Sequence, residues 1–172
     1  MERWEKNLED YCSTPAFVQQ VVDRCCQLLK GKTDAQPLNI HSEAWEIVSR
    51  AKEKAQELGI SIVISVVDAA GHVVMTYRME NALLVSSEMS YKKAYTAVGM
   101  RMASKDLAPL TQPGQWLYQL EIMSDNKIVS LPGGIPIFEG ERLAGGIGVS
   151  GGNAREDQLI AEYAVQHLQA GK

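Results

Sequence analysis

The chain has 172 residues, of which 45% are hydrophobic and 22% are charged, and its formal net charge at pH 7 is −4. This composition excludes a disordered or collagen-like chain and fits one domain of ordinary size with a short appendage. Because the charge balance is acidic and no basic stripe is present, nucleic acid is excluded as an expected partner.

The three cysteines, Cys12, Cys25 and Cys26, all lie near the start of the chain. An odd number with an adjacent pair does not make a disulfide framework, and the spacing matches no common zinc site. No apolar run is long enough for a membrane span, and the first residues lack the order of a signal peptide. We therefore expect a cytoplasmic protein whose cysteines are small apolar side chains on a helix.

Residues 1–37 form the first predicted segment. The stretch "TPAFVQQVVDRCCQLLKG", residues 14–31, opens with a capping threonine and a proline and ends at a glycine. Its apolar residues make one continuous stripe along about four helical turns, which predicts an amphipathic helix. The polar stretch that follows contains a proline and is typical of a linker.

Residues 38–172 form the second segment, with a mixed α/β pattern. A helix is predicted from Ile40 to Leu58, with Trp45 on its apolar face and Gly59 ending it. "ISIVISVV", residues 60–67, is apolar or small at nearly every position, which predicts a strand covered on both faces. "DAAG" then makes a turn into "HVVMTYRM", which completes a β-hairpin.

A second long helix is predicted to open at Ser86 and Ser87, with small residues that allow close packing on a sheet. Residues 105–127 are irregular or weakly helical, and short strands are predicted in "IVSLPGG" (128–134), "IPIFEG" (135–140) and "RLAGGIGVSG" (142–151). A last helix begins after Asn153, with Glu156 as its capping-box partner. This order of elements predicts an antiparallel sheet between layers of helices.

The stretch "GGIGVSGGNAREDQ", residues 145–158, leads from a strand into the last helix. A nucleotide P-loop needs a lysine just inside the helix, where this chain has Ala154, Arg155 and Glu156, so a P-loop is excluded. Two interpretations stay open. The N–H groups near Ser150, Gly151 and Gly152 could hold a small anion, or the glycines let strand and helix pack closely.

The three histidines are His41, His72 and His167, and no two of them lie at a metal-ligand spacing. His41 lies in the first turn of the first helix of the second segment and is the most accessible of the three. His72 is expected to be a solvated residue at a hairpin tip. His167 falls on the apolar stripe of the last helix and is expected to be packed and hydrogen-bonded.

Two further pairs of polar residues are candidates for a site. Alternation places Arg78 and Glu80 on one face of a strand end, where they form an ion pair or line a pocket for an acidic ligand. Lys93 and Thr96 lie one turn apart on the second long helix, and a solvated Lys93 is expected. No Ser–His–Asp, Cys–His or paired-carboxylate set is recognisable, so catalysis has no positive support from residue chemistry.

Four sequence blocks, taken in order, resemble those of the GlcG/HbpS/PduO C-terminal family. They are "SVVDAAGHVVMTYRMENA", "SYKKAYTA", "LPGGIPIFEGERLAGGIGVSGG" and "EDQLIAEYA". The resemblance covers about residues 40–170, leaves residues 1–37 uncovered and includes no adenosyltransferase domain. The family's Arg-Met-Asp-Gly-Ala is here Arg78-Met79-Glu80-Asn81-Ala82, so the edge of the pocket is altered.

The resemblance implies a profilin-like α/β (α+β) fold, with a five-stranded antiparallel sheet flanked by helices on both faces. It also implies homo-oligomers, from dimers to assemblies such as octamers. Members of the family resemble haem-binding or corrinoid-pathway accessory proteins. Some occur beside enzymes of glycolate, glycerol, propanediol or ethanolamine utilisation, and this chain is expected to support such a pathway.

If the ligand is haem, accessibility and anion-ready turns suggest which residues would hold it. His41 is the candidate axial ligand to the iron, with a plain helix-start histidine as the alternative. Apolar residues near Met79, Met100 and Met102 would meet the macrocycle. The remaining expected ligand-binding residues, including backbone N–H groups that would meet the propionates, are Arg78, Lys93, Thr96, Gly133, Gly134, Ser150, Gly151 and Gly152.

Three alternatives remain. The ligand could be a small organic acid in place of a tetrapyrrole. The protein could be an enzyme acting on a small hydroxy acid or aldehyde, with Arg78 clamping a carboxylate. It could also be a scaffold, because residues 14–30 resemble the short helices that target enzymes to bacterial microcompartments. In that segment, packing on the domain or at a subunit interface is the competing interpretation.

Overall fold

The computed structural model describes residues 38–169. The helix predicted at residues 14–31 and the three cysteines lie outside this range. In the described range none of the helices has the length and apolarity that crossing a bilayer needs. The elements are α1 (Ile40–Glu57), β1 (Val63–Asp68), β2 (Val73–Arg78), α2 (Leu84–Met100), α3 (Ser104–Leu107), α4 (Leu120–Met123), β3 (Gly134–Glu139), β4 (Arg142–Ser150) and α5 (Ala154–Gln169).

The strands of the described residues form one four-stranded sheet in the order β2-β1-β4-β3. All neighbours are antiparallel, and Val63 in β1 pairs with Arg78 on one side and Ser150 on the other. Gly134 in β3 pairs with Gly148 in β4. The predicted antiparallel sheet is therefore confirmed, with four strands in residues 38–169 where the family resemblance implied five.

The strand predicted at residues 128–134 is wrong, because β3 begins only at Gly134. Side-chain oxygens accept hydrogen bonds from N–H groups that, in a strand, would donate to a neighbouring strand. The Val129 N–H donates to Thr96 Oγ1 at 2.9 Å, and the Ser130 N–H donates to Glu121 Oε1 at 2.7 Å. Residues 128–131 are therefore outside the sheet, and residues 132–133 form a turn.

Helices cover both faces of the sheet, as predicted. On one face, Ile62, Ile64 and Val66 pack with buried residues of α1 and α5 in the main hydrophobic core. On the other face, Val67 packs against Ala94 and Val98 of α2. Since adjacent strand residues point to opposite faces, the continuous apolar run of β1 supplies both layers.

Glycines allow α2 to lie unusually close to the sheet. A Cβ atom at Gly148 would overlap the carbonyl oxygen of Ser90, and one at Gly134 would overlap the carbonyl oxygen of Lys93. Both carbonyl groups belong to the backbone of α2 and cannot move like a flexible side chain. Gly148 of β4 and Gly134 of β3 thus serve close packing of α2 on the sheet.

Asparagine side chains cap two of the helices. Asn39 Oδ1 accepts the His41 N–H at the start of α1. In α5 the predicted capping box is confirmed, since the Asn153 N–H donates to Glu156 Oε2 at 2.8 Å and Asn153 Oδ1 accepts the Glu156 N–H. Helix α2 begins at Leu84, so Ser86, predicted to open it, is a buried residue inside its first turn.

Candidate functional site

Lys93 lies buried in α2, only 4% exposed, so the prediction that it is solvated was wrong. Its Nζ donates to Asp157 Oδ2 at 2.6 Å and to the Val149 carbonyl at 2.9 Å. A buried ammonium group needs such partners, because an unpaired charge away from water is costly. Lys93 therefore joins α2 to the end of β4 and the start of α5.

Asp157 is the centre of this cluster. Its carboxylate accepts the Gly152 N–H at 2.9 Å and also the N–H of Gly151. Burial raises the pKa of Asp157 above its ordinary value, and the hydrogen bond from Lys93 and those from the two glycines oppose this rise. The pair holds two opposite charges in a place from which water is largely excluded.

The backbone N–H groups expected to bind propionates are already used inside the protein. The Gly133 N–H donates to Gln158 Oε1 at 2.9 Å, and the Gly134 N–H donates to Ser104 Oγ at 2.9 Å. The structure thus brings these two glycines together with the Gly151 and Gly152 turn and with Lys93. The cluster is an internal network, and an anion would have to displace its bonds.

Ser150 and Thr96 also belong to the framework of this region. Ser150 is the buried last residue of β4, opposite Val63. Thr96 is fully buried in α2, where its Oγ1 donates to the Lys92 carbonyl at 2.8 Å. The same Oγ1 accepts the Val129 N–H, so Thr96 holds the segment before β3.

Arg78 is exposed at the end of β2 and does not form the suggested ion pair with Glu80 within the described residues. Its Nη1 donates to the Glu80 carbonyl at 3.3 Å, and its Nη2 donates to the Ala82 carbonyl. These bonds close the turn between β2 and α2. A carboxylate clamp, as the enzyme alternative requires, would use the N–H groups of the guanidinium that these two bonds leave free.

The three methionines expected at a macrocycle lie near opposite ends of β4. Met79 donates its N–H to the Ile62 carbonyl at 3.0 Å, beside the Ser150 end of β4. Met100 and Met102 flank Arg101, whose Nη2 reaches the Glu141 carbonyl at the other end of that strand. Because the nine extended residues of β4 span roughly 27 Å, one chain does not bring these methionines together.

His41 lies in the first turn of α1 and is exposed. Its imidazole makes no hydrogen bond or ion pair with any residue of the range 38–169. Trp45, one helical turn further on, is 63% exposed. The prediction that Trp45 lies on the buried face was wrong, because the helical turn places it about 100° from buried Ala44. An exposed histidine and an exposed tryptophan therefore share one face of α1.

The position of His41 separates it from the Lys93–Asp157 cluster. Ile40, its neighbour, packs so close to Gly145 that a Cβ atom there would meet the isoleucine side chain. Gly145 lies near the start of β4, whereas Lys93 contacts Val149 near its end. Two different regions thus contain the residues that the sequence placed in one site.

The other two histidines are placed as follows. The side chain of His72 is 80% exposed, as predicted, with Nδ1 3.5 Å from Asp68 Oδ2. His167 is packed between α5 and α1, with Nε2 3.8 Å from Glu43 Oε2. Its two ring nitrogens have no hydrogen-bond partner among the described residues. The packing of His167 is confirmed, and its predicted hydrogen bond is not formed.

Asp157, Gln158 and Ser104 are site residues that the sequence reasoning missed. A signal for Asp157 was present, because it lies on the same face of α5 as buried Ile160, Ala161 and Ala164. A carboxylate on an apolar helical stripe requires a buried partner. No local spacing identifies that partner as Lys93, which is 64 residues away.

Sequence comparison connects the chain with proteins of known family. The family model described as haem degrading protein HbpS-like matches residues 40–166. The corrinoid adenosyltransferase PduO of Salmonella typhimurium is 41% identical over 134 residues, which are 78% of this chain and 40% of PduO. The chain therefore spans less than half the length of this relative.

Two crystal structures resemble the described fold. A PduOC–haem complex shares 41% sequence identity at a TM-score of 0.73, covering 76% of this chain and 94% of the other. A double mutant of HbpS from Streptomyces reticuli shares 27% identity at a TM-score of 0.67, covering 79% and 90%. These matches confirm the resemblance that the sequence blocks indicated.

Proposed function

Because this chain belongs to the HbpS-like family, we propose that it is a haem-binding accessory protein in which His41 ligates the iron. The observation that carries the proposal is the exposed face of α1, where the imidazole of His41 is accessible beside Trp45. The haem-bound relative, PduOC, supports the choice of ligand. A small organic acid remains the alternative ligand of this face.

The residues of this face fit a haem group. An imidazole is a common axial ligand of haem iron, and bound haem supplies that iron together with a planar apolar ring. Trp45 offers a large flat apolar surface one turn from the imidazole. The backbone of His41 is fixed because Asn39 Oδ1 accepts its N–H at 3.0 Å. The chain's own contribution is thus a ligand held on a rigid helix end.

Exposed apolar residues support assembly into a homo-oligomer. Large apolar side chains at least half exposed lie at the start of α2 and in the segment around α4. They are Leu83, Leu84, Val85, Trp116, Tyr118, Ile122 and Met123. Such clusters on a soluble domain mark interaction surfaces. In an oligomer, Met79 of one subunit would meet a macrocycle held by another subunit, which a single chain does not allow.

The proposed cellular role is support of a cobalamin-dependent or a glycolate, glycerol or diol utilisation pathway. The relationship to the corrinoid adenosyltransferase PduO supports this placement. Docking to an enzyme or a microcompartment shell through residues 14–30 belongs to the same proposal, and that segment lies outside the described residues.

Replacing His41 with alanine should weaken hemin binding at least tenfold, because the iron loses its side-chain ligand. The purified full-length protein is titrated with hemin, and the Soret band reports both affinity and ligation. His72→Ala is the matched control, since His72 is also exposed and lies on the β1–β2 hairpin. We expect this control to bind hemin like the unmodified protein.

Two results would contradict the proposal. One is an unmodified protein that produces no saturable Soret shift. The other is a His41→Ala protein whose spectrum and affinity equal those of the unmodified protein. Native mass measured on the same samples counts the subunits and the haem groups bound.

A further inference from the structure

A cavity lies away from His41, between the first half of α5 and the segments containing Lys105 and Pro132. Its volume is about 420 Å³, within the range of small-molecule pockets. Ala154, Pro132 and Leu159 supply apolar wall, and Leu159 is 44% exposed despite its size. The cavity therefore offers an apolar molecule a surface that the fold itself leaves uncovered.

Polar side chains line the rest of the cavity. Lys105 Nζ lies 2.9 Å from Glu162 Oε1, and Gln158 Nε2 donates to the same oxygen at 2.8 Å. These hydrogen bonds, from Gln158 and then Lys105, hold the pKa of Glu162 below its ordinary value. Glu162 is therefore ionised at neutral pH, and its charge is balanced by Lys105.

Arg155 is the remaining cation of the cavity. It is exposed and takes part in no ion pair with a residue of the described range. Its acidic neighbours on α5 have other partners, since Glu156 accepts the Asn153 N–H and Asp157 binds Lys93. The cavity lining thus carries one net positive charge, in the form of a planar guanidinium group that matches a carboxylate with two parallel hydrogen bonds.

The helix start itself is not needed for this site. Asn153 Oδ1 already accepts the N–H groups of Arg155 and Glu156. Recognition would come from side chains, with the Arg155 guanidinium against the anionic group and Leu159 and Pro132 against the apolar part. We infer that this cavity binds a small carboxylic acid with a compact apolar body, at a site distinct from that of haem.

Benzoate is the probe for this site, with benzamide as its uncharged counterpart and inorganic phosphate as an anion without an apolar body. Each is titrated into the ¹⁵N-labelled full chain at constant ionic strength, and the backbone amide shifts are followed. We expect saturable benzoate shifts centred on residues 154–159 and 133–134. Arg155→Gln should weaken benzoate binding at least tenfold, because glutamine is polar but shorter and carries neither the charge nor the planar guanidinium group.

Arg142→Gln is the control, since Arg142 is an exposed arginine at the far end of β4, and it should leave benzoate binding unchanged. His41→Ala should also leave it unchanged, so this experiment and the hemin titration decide separate questions. The inference would be overturned if benzamide or phosphate bound as tightly as benzoate. Benzoate shifts that do not saturate or that persist in Arg155→Gln would also overturn it.

Discussion

Replacing Lys93 with methionine should lower the free energy of unfolding by about 3–5 kcal/mol, the usual cost of breaking a buried ion pair. Both side chains of the Lys93–Asp157 pair are 5% exposed, so water cannot replace the lost partner. Methionine replaces the apolar stem of lysine and ends where the charged nitrogen begins, so most of the packing of α2 is preserved. Urea unfolding, followed by circular dichroism, measures the loss.

A double substitution separates the charge effect from a packing effect. Combining Lys93→Met with Asp157→Asn removes the unpaired charge, while the amide oxygen can still accept the Gly152 N–H. We expect the double variant to be more stable than Lys93→Met alone. A double variant whose loss equals the sum of the two single losses would show that the two side chains are not coupled.

The free energy of unfolding that is lost in Lys93→Met should depend on pH. Burial raises the pKa of Asp157, and removing Lys93 takes away a group that opposes this rise. A carboxyl group whose pKa is raised in the folded state contributes to the free energy of unfolding below its pKa in the unfolded chain, which is about 4. This contribution is lost as the pH rises through the pKa of the group in the folded state. The difference in free energy of unfolding between Lys93→Met and the unmodified protein should therefore shrink as the solution is acidified from pH 7 towards pH 4.

Replacing Gly148 with alanine is expected to cost about 3 kcal/mol or more, at the upper end of overpacking effects. The added methyl group would overlap the Ser90 carbonyl oxygen and crowd the Ala94 nitrogen, both in the backbone of α2. The helix would have to move off the sheet to make room. That movement would strain the hydrogen bond between Ser65 and Ser90, now 2.9 Å between their hydroxyl oxygens.

Gly99→Ala is the matched control for this prediction. Gly99 lies in α2, the helix that packs on β4, but a Cβ atom there would meet nothing within 4 Å. Alanine should raise stability there by about 0.5 kcal/mol, because it restricts the unfolded chain and favours helix. Equal effects of the two substitutions on the thermal midpoint would contradict the close-packing account of β4.

The elements that the sequence predicted well have strong local signals. Helix α1 was predicted to within one residue because its apolar positions recur at helical spacing between Asn39 and Gly59. The β1–β2 hairpin and the Asn153–Glu156 capping box are also local patterns. In each case the residues that determine the structure lie within a few positions of one another.

The predictions that failed depend on contacts between distant parts of the chain. Lys93 was expected to be solvated because its partners, Val149 and Asp157, are more than 50 residues away. The missing strand at residues 128–134 has the same origin. The N–H groups of Val129 and Ser130 donate to the side chains of Thr96 and Glu121. Strand propensity does not take such distant contacts into account.

The candidate site was predicted only in part, because two properties of the fold divide it. The glycine turns around Gly133 and Gly151 do converge with Lys93, but their N–H groups are satisfied internally. His41, the proposed iron ligand, lies near the other end of β4. A sequence pattern identifies residues able to bind an anion or a metal, whereas the fold decides which of those groups remain available.

A crystal structure of the full-length protein with haem tests the central claim most directly. We expect the imidazole of His41 to be bonded to the iron and Trp45 to contact the macrocycle. Iron bound by a residue other than His41, or haem seated at the Lys93–Asp157 cluster, would contradict it.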